Sequence, residues 1–413
     1  MRILFISNLY PPYDLGGMEQ LCQEIVDRLR QRGHVCHVLT SRYGARDSNL
    51  QEDGITRALY LEADVYHYHP LDFFLKRPWQ ERANRRTLRR ALDVFKPDII
   101  FIWGMWNLST RVAYWAEQWQ PGKVAYNIES YWPLDTDPHR VYWRNPSNRK
   151  AIRILLWPIS KLALSILKAE HYPPKLQFHH VSCCSQYVVD VLTEASVVPP
   201  GAIAILNGID PAPFIAHTRQ VPKQNAETLR LLYFGGLMEH KGVHTAIEAL
   251  GLLQQQGYAD KLCLTIVGGG QPEYEDHLHT LTESLGLTDK IHFTGRVPRS
   301  DIPRILSEHD IFLFTSIWAE PFGRTIIEAM AAGLAVIGSD VGGSKEIFKL
   351  YPEDILFTAG NAEALAGQIK KFVNNPHLVQ RLGQAGQDLV REHFTLTRMI
   401  EEVDMFLLHI VQS

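Results

Sequence analysis

The sequence predicts an α/β protein of two doubly wound domains. Three observations carry this reading. The chain has 413 residues, and domains run to roughly 100–200 residues each. Short apolar runs alternate with longer amphipathic ones, the pattern of βαβ units in a parallel sheet. The alternation stops and restarts near Asn207–Gly208, among Pro199, Pro200, Pro211 and Pro213, with a polar stretch running on to Glu227. Such punctuation marks a domain boundary.

In chain order, the runs 2–7, 35–40, 98–103 and 123–128 read as buried strands. Gln20–Arg32 reads as a helix, because Leu21, Ile25 and Leu29 recur every four residues, and Gly33 follows as its C-terminal stop. After the boundary, strands are expected at Leu231–Phe234, Leu262–Val267, Ile291–Thr294, Ile311–Phe314 and Ala335–Ile337, with a helix from about Val243. The first domain is therefore 1–205 and the second 206–391. The closing segment 392–413, helical through Leu396–Val411 and apolar on one face, is left to pack back on the first domain or on the second.

Composition excludes several classes. Apolar residues make up 46% and charged residues 21%, which is ordinary for a folded core and wrong for disorder. A net charge of −3 lacks the basic footprint of a nucleic-acid binder. The five cysteines form no C-x-x-C pair, so neither a disulfide framework nor a zinc or redox motif is expected, and a cytoplasmic setting fits. No apolar run reaches the eighteen or so residues of a membrane span, and Met1–Ser7 is too short for a signal peptide. Residues 1–205 carry net charge +5 and the remainder −8, so the two domains present different surfaces.

The most informative segment is Ser316–Glu328, S-I-W-A-E-P-F-G-R-T-I-I-E. A strand delivers the chain to this turn, and a helix then begins. Ligands of open α/β sheets bind beyond the carboxyl ends of the strands, and a helix start offers free N–H groups to an anion. Glu320 precedes that anion site and Glu328 lies beside it. Carboxylates accept hydrogen bonds from vicinal hydroxyls, so a diphosphate flanked by two hydroxyl-bearing groups fits: a nucleotide sugar, with Glu320 on the sugar and Glu328 on the ribose. The competing reading makes Glu320 a turn residue and Glu328 a solvated helix face.

E-P-F-G-R-T-I-I-E-A-M-A-A-G (320–333) resembles the signature of the retaining GT-B glycosyltransferases of family 4. Y-F-G-G-L-M-E-H-K-G (233–242), V-G-G-G (267–270), F-T-G-R-V (293–297), L-N-G-I-D (206–210) and D-V-G-G-S-K-E (340–346) resemble its other segments. The likeness is dense over 205–390 and looser before it, where Gly16–Gly17–Met18–Glu19 is the best match. The resemblance implies a GT-B fold, two Rossmann-like domains facing across a cleft, with the nucleotide-diphospho-sugar donor (UDP- or GDP-linked) on the second and the acceptor on the first. It implies a hexosyl transfer with retention, to a hydroxyl of a glycan or lipid-linked glycan, as in polysaccharide biosynthesis. Neither cofactor nor metal is required, because a lysine and helix N–H groups neutralise the leaving diphosphate.

Lys241 is the residue so assigned. The family usually places an arginine five residues earlier, where this chain has Gly236. Arg324 is either its replacement or a surface arginine. By the same resemblance Gly16 and Gly17 let the backbone approach the donor, Phe322 and Gly323 belong to the donor turn, and the backbone of Arg296 and Val297 meets the base. Gly268–Gly270 looks like a turn with backbone contacts rather than a dinucleotide fingerprint.

In the first domain the expected acceptor residues are Glu129, Tyr131 and Trp132. Many relatives have a histidine where Glu129 stands. A carboxylate there either orients an acceptor hydroxyl and takes its proton or is a structural replacement in a weakened site. Tyr131, Trp132, Tyr142 and Trp143 are stacking platforms or core. Asp135–Thr136–Asp137 has the form of a metal-binding D-x-D, but reads as a solvated loop. Two basic segments, 76–96 and 149–168, suit peripheral contact with the inner face of a membrane; otherwise they are a solvated helix face and a core helix broken by Pro158. The rivals to transfer are a GT-B-fold epimerase and a degenerate sugar-nucleotide-binding protein, the latter motivated by Gly236 and Glu129.

Overall fold

A computed structural model describes residues 1–46, 51–65, 67–217 and 228–413. The polar stretch approaching Glu227 lies mostly outside these residues. The chain divides into two compact units. The first comprises Met1–Cys184, Val188–Ile205 and Ile400–Ser413; the second comprises Ser185–Tyr187 and Leu206–Met399.

Among the described residues the first unit is built on eight strands: β1 Arg2–Ser7, β2 Val35–Ser41, β3 Gln51–Glu52, β4 Ile55–Leu59, β5 Ile99–Gly104, β6 Val124–Ile128, β7 His180–Cys183 and β8 Ile203–Ala204. Their order is β3-β4-β2-β1-β5-β6-β7-β8, and every pairing is parallel except β3 with β4. Every residue of β5 and β6 is buried, which is why they read as mainly apolar runs, with Asn127 the polar exception: helices cover both faces of a parallel sheet. The helix Gly17–Gln31 buries Leu21, Cys22, Ile25, Val26 and Leu29. It ends as the sequence requires, with Gly33 N–H on Arg30 O at 2.9 Å and His34 N–H on Leu29 O at 3.1 Å, the paired bonds of a glycine-terminated helix.

The second unit has β9 Leu229–Phe234, β10 Leu262–Val267, β11 Ile291–Gly295, β12 Ile311–Phe314, β13 Ala335–Ser339 and β14 Leu356–Phe357. All six are parallel, in the order β11-β10-β9-β12-β13-β14. The winding reverses between β9 and β12. In such a sheet the loops leaving those two strands diverge to opposite faces and open a crevice at their carboxyl ends.

One expectation is refined and two need correction. The closing segment is helical where the sequence predicts it, over Leu396–Gln412, but its first residues belong to a preceding helix His377–His393 that ends before a break at Phe394–Thr395. Thr395 Oγ1 accepts the Arg398 N–H at 3.2 Å and starts the new helix. Leu396–Met399 belongs to the second unit and the rest to the first. The helix Lys150–Ala169 runs through Pro158 instead of breaking there. Asp137 is not a loop carboxylate: its side chain caps the helix Pro138–Arg144, accepting the Arg140 N–H at 2.9 Å.

Candidate functional site

The two loops at the reversal point of the second sheet are tied together by side-chain and backbone hydrogen bonds. The loop after β9 ends in a tight turn, Glu239–Lys241. The loop after β12 holds it: Thr315 Oγ1 donates to Lys241 O at 2.9 Å, and Ile317 N–H donates to His240 O at 2.9 Å. The Lys241 backbone is thus fixed, and its ammonium forms an ion pair with Glu320 Oε1. The same oxygen accepts from Ser316 Oγ at 3.0 Å. Lys241 Nζ also lies 5.9 Å from the centre of the Trp318 ring. Glu320 is only 8% exposed. A carboxylate so buried is costly unless paired, and the lysine and serine are its compensation.

A glycine pair sets the height of the Glu320 loop. Gly343 N–H donates to Glu320 O at 2.7 Å. A Cβ at Gly342 would lie 2.2 Å from Glu320 O, and one at Gly343 would lie 2.1 Å from Pro321 O. The D-V-G-G turn is therefore a backbone-on-backbone support beneath the acidic residue. Beside it, Tyr233 donates its hydroxyl to Gly236 O at 2.9 Å. Burial pushes that phenol well above its usual range, and the charge of Glu320 adds to the shift.

The helix Arg324–Ala331 starts at Gly323, whose φ of +105° suits glycine alone. Glu328, within it, is 1% exposed and is no solvated face. Arg299 Nη1 donates to its Oε2 at 3.0 Å and Arg299 Nη2 pairs with its Oε1. Arg324 Nε adds a third contact at 3.2 Å. Arg324 is therefore no surface arginine, and it points at Glu328. Phe322, expected at the donor, turns its ring into the core against Phe394 and is 3% exposed; only its backbone is left for a ligand.

Further along the sheet edge, Gly235 N–H donates to Val267 O at 3.0 Å and Leu237 N–H to Gly269 O at 3.1 Å. Cβ atoms at Gly268 and Gly270 would sit 1.8 and 1.7 Å from the carbonyl oxygens of Gly235 and Leu237. The triple glycine serves this seam, as a turn with backbone contacts. Arg296 is exposed on the turn after β11 and lays its side chain over Gly269, while Val297 is half-buried. Arg299 is the residue that sequence reasoning missed. Its only signal was its place in the turn that already holds Arg296 and Val297.

In the first unit, Gly16 is extended, at φ 180°, and precedes the helix that Gly17 begins. A Cβ at Gly16 would meet nothing, so the protein's own packing does not demand glycine there. Glu19 follows, buried, and burial raises its carboxyl pKa. Glu129 is half-buried at the end of β6 and accepts from Asn127 Nδ2 at 2.6 Å. Tyr131 is half-buried. Trp132 packs in the core with Phe178, ring centres 5.8 Å apart. Trp143 is core too, and Tyr142 stacks on Tyr68 at 4.5 Å. Trp132 nevertheless forms part of the wall of a cavity of about 900 Å³, together with Glu62, Tyr68, Trp106, Asp137 and Tyr142; Glu129 does not line it. Among the described residues no three His, Cys, Asp or Glu side chains are grouped to hold a metal ion.

Two matches divide the chain almost end to end. Residues 15–212 match the family described as Glycosyltransferase Family 4, and residues 215–389 the one described as Glycosyl transferases group 1. The chain belongs to glycosyltransferase family 4. This family 4 chain is 24% identical over 410 residues to a glycogen synthase of Mycobacterium tuberculosis, covering 95% of this chain and 91% of that one. It is 34% identical over 188 residues to the amylovoran biosynthesis glycosyltransferase AmsK of Erwinia amylovora, covering 44% of this chain and 42% of that one. Its fold is that of the sucrose-phosphate synthase of Thermosynechococcus elongatus, with TM-score 0.72, 21% identity and coverage of 99% and 98%. Anabaena HepE, solved with UDP and glucose, has TM-score 0.68, 21% identity and coverage of 98% and 99%. The family 4 glycosyltransferase thus has the GT-B fold.

Proposed function

We propose that this glycosyltransferase moves a hexose-type sugar from a nucleotide-diphospho-sugar to an acceptor hydroxyl, with retention at the anomeric carbon. The observation that carries the proposal is the ion pair between half-buried Lys241 and buried Glu320 at the reversal point of the second sheet. An ammonium and a carboxylate held together there match the two ends of a sugar diphosphate. The diphosphate draws Lys241 to itself, aided by N–H groups at the start of the Arg324–Ala331 helix. Glu320, released from its lysine, then accepts hydroxyls of the transferred sugar. Glu328 sits beside Arg299 and Arg324 for the ribose, and the backbone at Arg296–Val297 meets the base. UDP is the first nucleotide to test, because HepE was solved with it.

The acceptor belongs to the first unit. The cavity there combines ring faces of Trp132, Tyr68 and Tyr142 with the carboxyl groups of Glu62, Asp64, Asp135 and Asp137, which suits an uncharged glycan better than an anionic one. Glu129, outside that cavity at the end of β6, is the carboxylate we assign to orienting the attacking hydroxyl. As the bond to the diphosphate breaks, the leaving oxygen takes the acceptor's proton on the same face, and the new bond forms there. Lys241 and the helix N–H groups stabilise that leaving charge. No metal or cofactor enters this scheme, and the acceptor is a glycan or lipid-linked glycan met in the cytoplasm or at its membrane.

The test has two stages. Thermal shifts with UDP, GDP and ADP and their sugars identify the base, since a ligand at a hundred times its Kd adds about 2.7 kcal/mol. Transfer is then measured for Glu320→Gln and Lys241→Ala, each expected to lose roughly a hundredfold or more in kcat with the fold kept. Wild-type-like turnover in either variant refutes the assignment. A second reading, a binding protein without turnover, is favoured by one observation: Arg324 approaches Glu328 with its Nε at 3.2 Å, which leaves the cation usual at position 236 without an evident replacement. Nucleotide-sugar binding with no transfer in the wild type would establish it.

A further inference from the structure

The helix Lys150–Ala169 is packed at one end and bare at the other. Its second half sends Ala163 and Leu167 into a cluster with Phe73, Trp143 and Tyr172. From Asn148 to Ile159 every residue is exposed except Leu156, which is half-buried. The exposed side chains are large and apolar: Leu155 is 76% exposed, Trp157 57% and Leu162 56%, with Ile152, Ile154 and Ile159 also open. Ile152, Leu155, Ile159 and Leu162, spaced by three and four residues, form one stripe along the helix. Lys150, Arg153, Lys161 and Lys168 lie on the other side. The neighbouring helix Pro70–Leu75 puts Phe73 and Phe74 in the same cluster and leaves Leu71 and Leu75 each 70% exposed.

Charge decides what this face meets. From Pro138 to Ala169 there are seven Lys and Arg and no Asp or Glu. Two copies of the helix set face to face would crowd like charges with no carboxylate to separate them. An anionic lipid surface supplies the missing sign and an apolar layer of the right depth. Trp157 suits that boundary, with Lys161 Nζ 3.9 Å from its ring centre. No described helix is long and apolar enough to cross a membrane, so the helix would lie in the plane of the interface. The helix Arg77–Phe95 exposes Arg82, Arg85, Arg86, Arg89 and Arg90 but no comparable apolar stripe, and so contributes charge at most.

We propose that residues 150–162, with Leu71 and Leu75, dock this protein on an anionic lipid bilayer, the apolar stripe entering the interface and the basic residues holding the headgroups. This goes beyond the transfer reading and stands without it, because vesicle binding needs no donor. The full chain is sedimented with vesicles of phosphatidylglycerol in phosphatidylcholine and with phosphatidylcholine alone. Binding is expected only to the first, and to weaken as ionic strength rises. Leu155→Glu is expected to cut it roughly tenfold or more, and Lys150→Glu or Arg153→Glu about fivefold each. All three positions are exposed, and unchanged thermal melts confirm the fold. Absence of binding to the anionic vesicles overturns the proposal, as does equal binding by Leu155→Glu and wild type. A dimer that Leu155→Glu dissolves, without vesicle binding, overturns it and makes this face an interface between copies.

Discussion

Arg299 binds Glu328 with both ends of its guanidinium, Nη1 to Oε2 at 3.0 Å and Nη2 to Oε1. The carboxylate is almost fully buried while the arginine is 43% exposed along its side chain, so the pair is a lid of positive charge over a sunken negative one. Among the described residues, Arg299→Ala leaves Glu328 with the Arg324 contact. The expected loss is about 1–3 kcal/mol of stability, measured by denaturant unfolding, with weaker nucleotide binding. Arg299→Lys should restore little, because an ammonium cannot reproduce the two-point contact.

The glycine pair under Glu320 gives a sharper test. Gly342→Ala places a methyl 2.2 Å from the Glu320 carbonyl oxygen, which is backbone and cannot swing aside. The loop must move, at about 1–3 kcal/mol. The expected signature is a lower Tm together with a fall in kcat, because Glu320 is displaced relative to Lys241. A fall in Tm with full kcat would mean that the height of this loop does not matter to transfer.

Restoring the absent arginine is a gain-of-function test. A Cβ at Gly236 meets only Met238 Cε, at 2.9 Å, the far end of a flexible side chain. Gly236→Arg should therefore fold. If the site takes a diphosphate, a second cation there should tighten nucleotide binding roughly tenfold, read by calorimetry. Unchanged affinity would show that the departure at this position costs the protein no donor contact.

Glu62, on the cavity wall, provides a pH test. Burial raises its carboxyl pKa from 4.5 to about 8. Asp137 and Glu81 push it further up, while Arg77 and a hydrogen bond with Ser109 pull it down. The folded protein keeps this proton where the unfolded chain has released it, so its contribution to stability is full below 4.5 and falls as pH rises towards 8. Glu62→Gln removes that decline. The Tm of the variant relative to wild type should climb between pH 5 and pH 8, and a difference constant across that window would show that Glu62 titrates normally.

What the sequence made legible follows from what is local. β5 and β12 announced themselves because burial on two faces leaves only apolar residues, and β6 and β10 because a single polar residue in each leaves the apolar run legible. The Gly33 stop and the E-P-F-G-R turn were legible because a helix boundary is written in a few adjacent residues. Arg299 was hidden because its partner lies 29 positions away, and nothing in either neighbourhood encodes that contact. The inward turn of the Phe322 ring was hidden for a related reason: an aromatic beside a functional loop has the same letter whether its ring faces a ligand or the core. The unbroken helix through Pro158 could not be foreseen from a residue whose usual effect is to end one.

After its crossings at Cys184–Ser185, Tyr187–Val188 and Ile205–Leu206, the closing helix brings the chain back to its first unit at Met399–Ile400. The first unit is thus assembled from distant stretches of the gene. A fragment stopped at Ile205 would lack Val403, Leu407 and Ile410, all buried. It would also lack the Asp404 carboxylate that meets His34 at 2.9 Å and the Glu401 that meets Arg32 at 3.3 Å. Anyone wishing to express that half by itself should graft the tail back on, or supply it as a separate peptide and look for reconstitution.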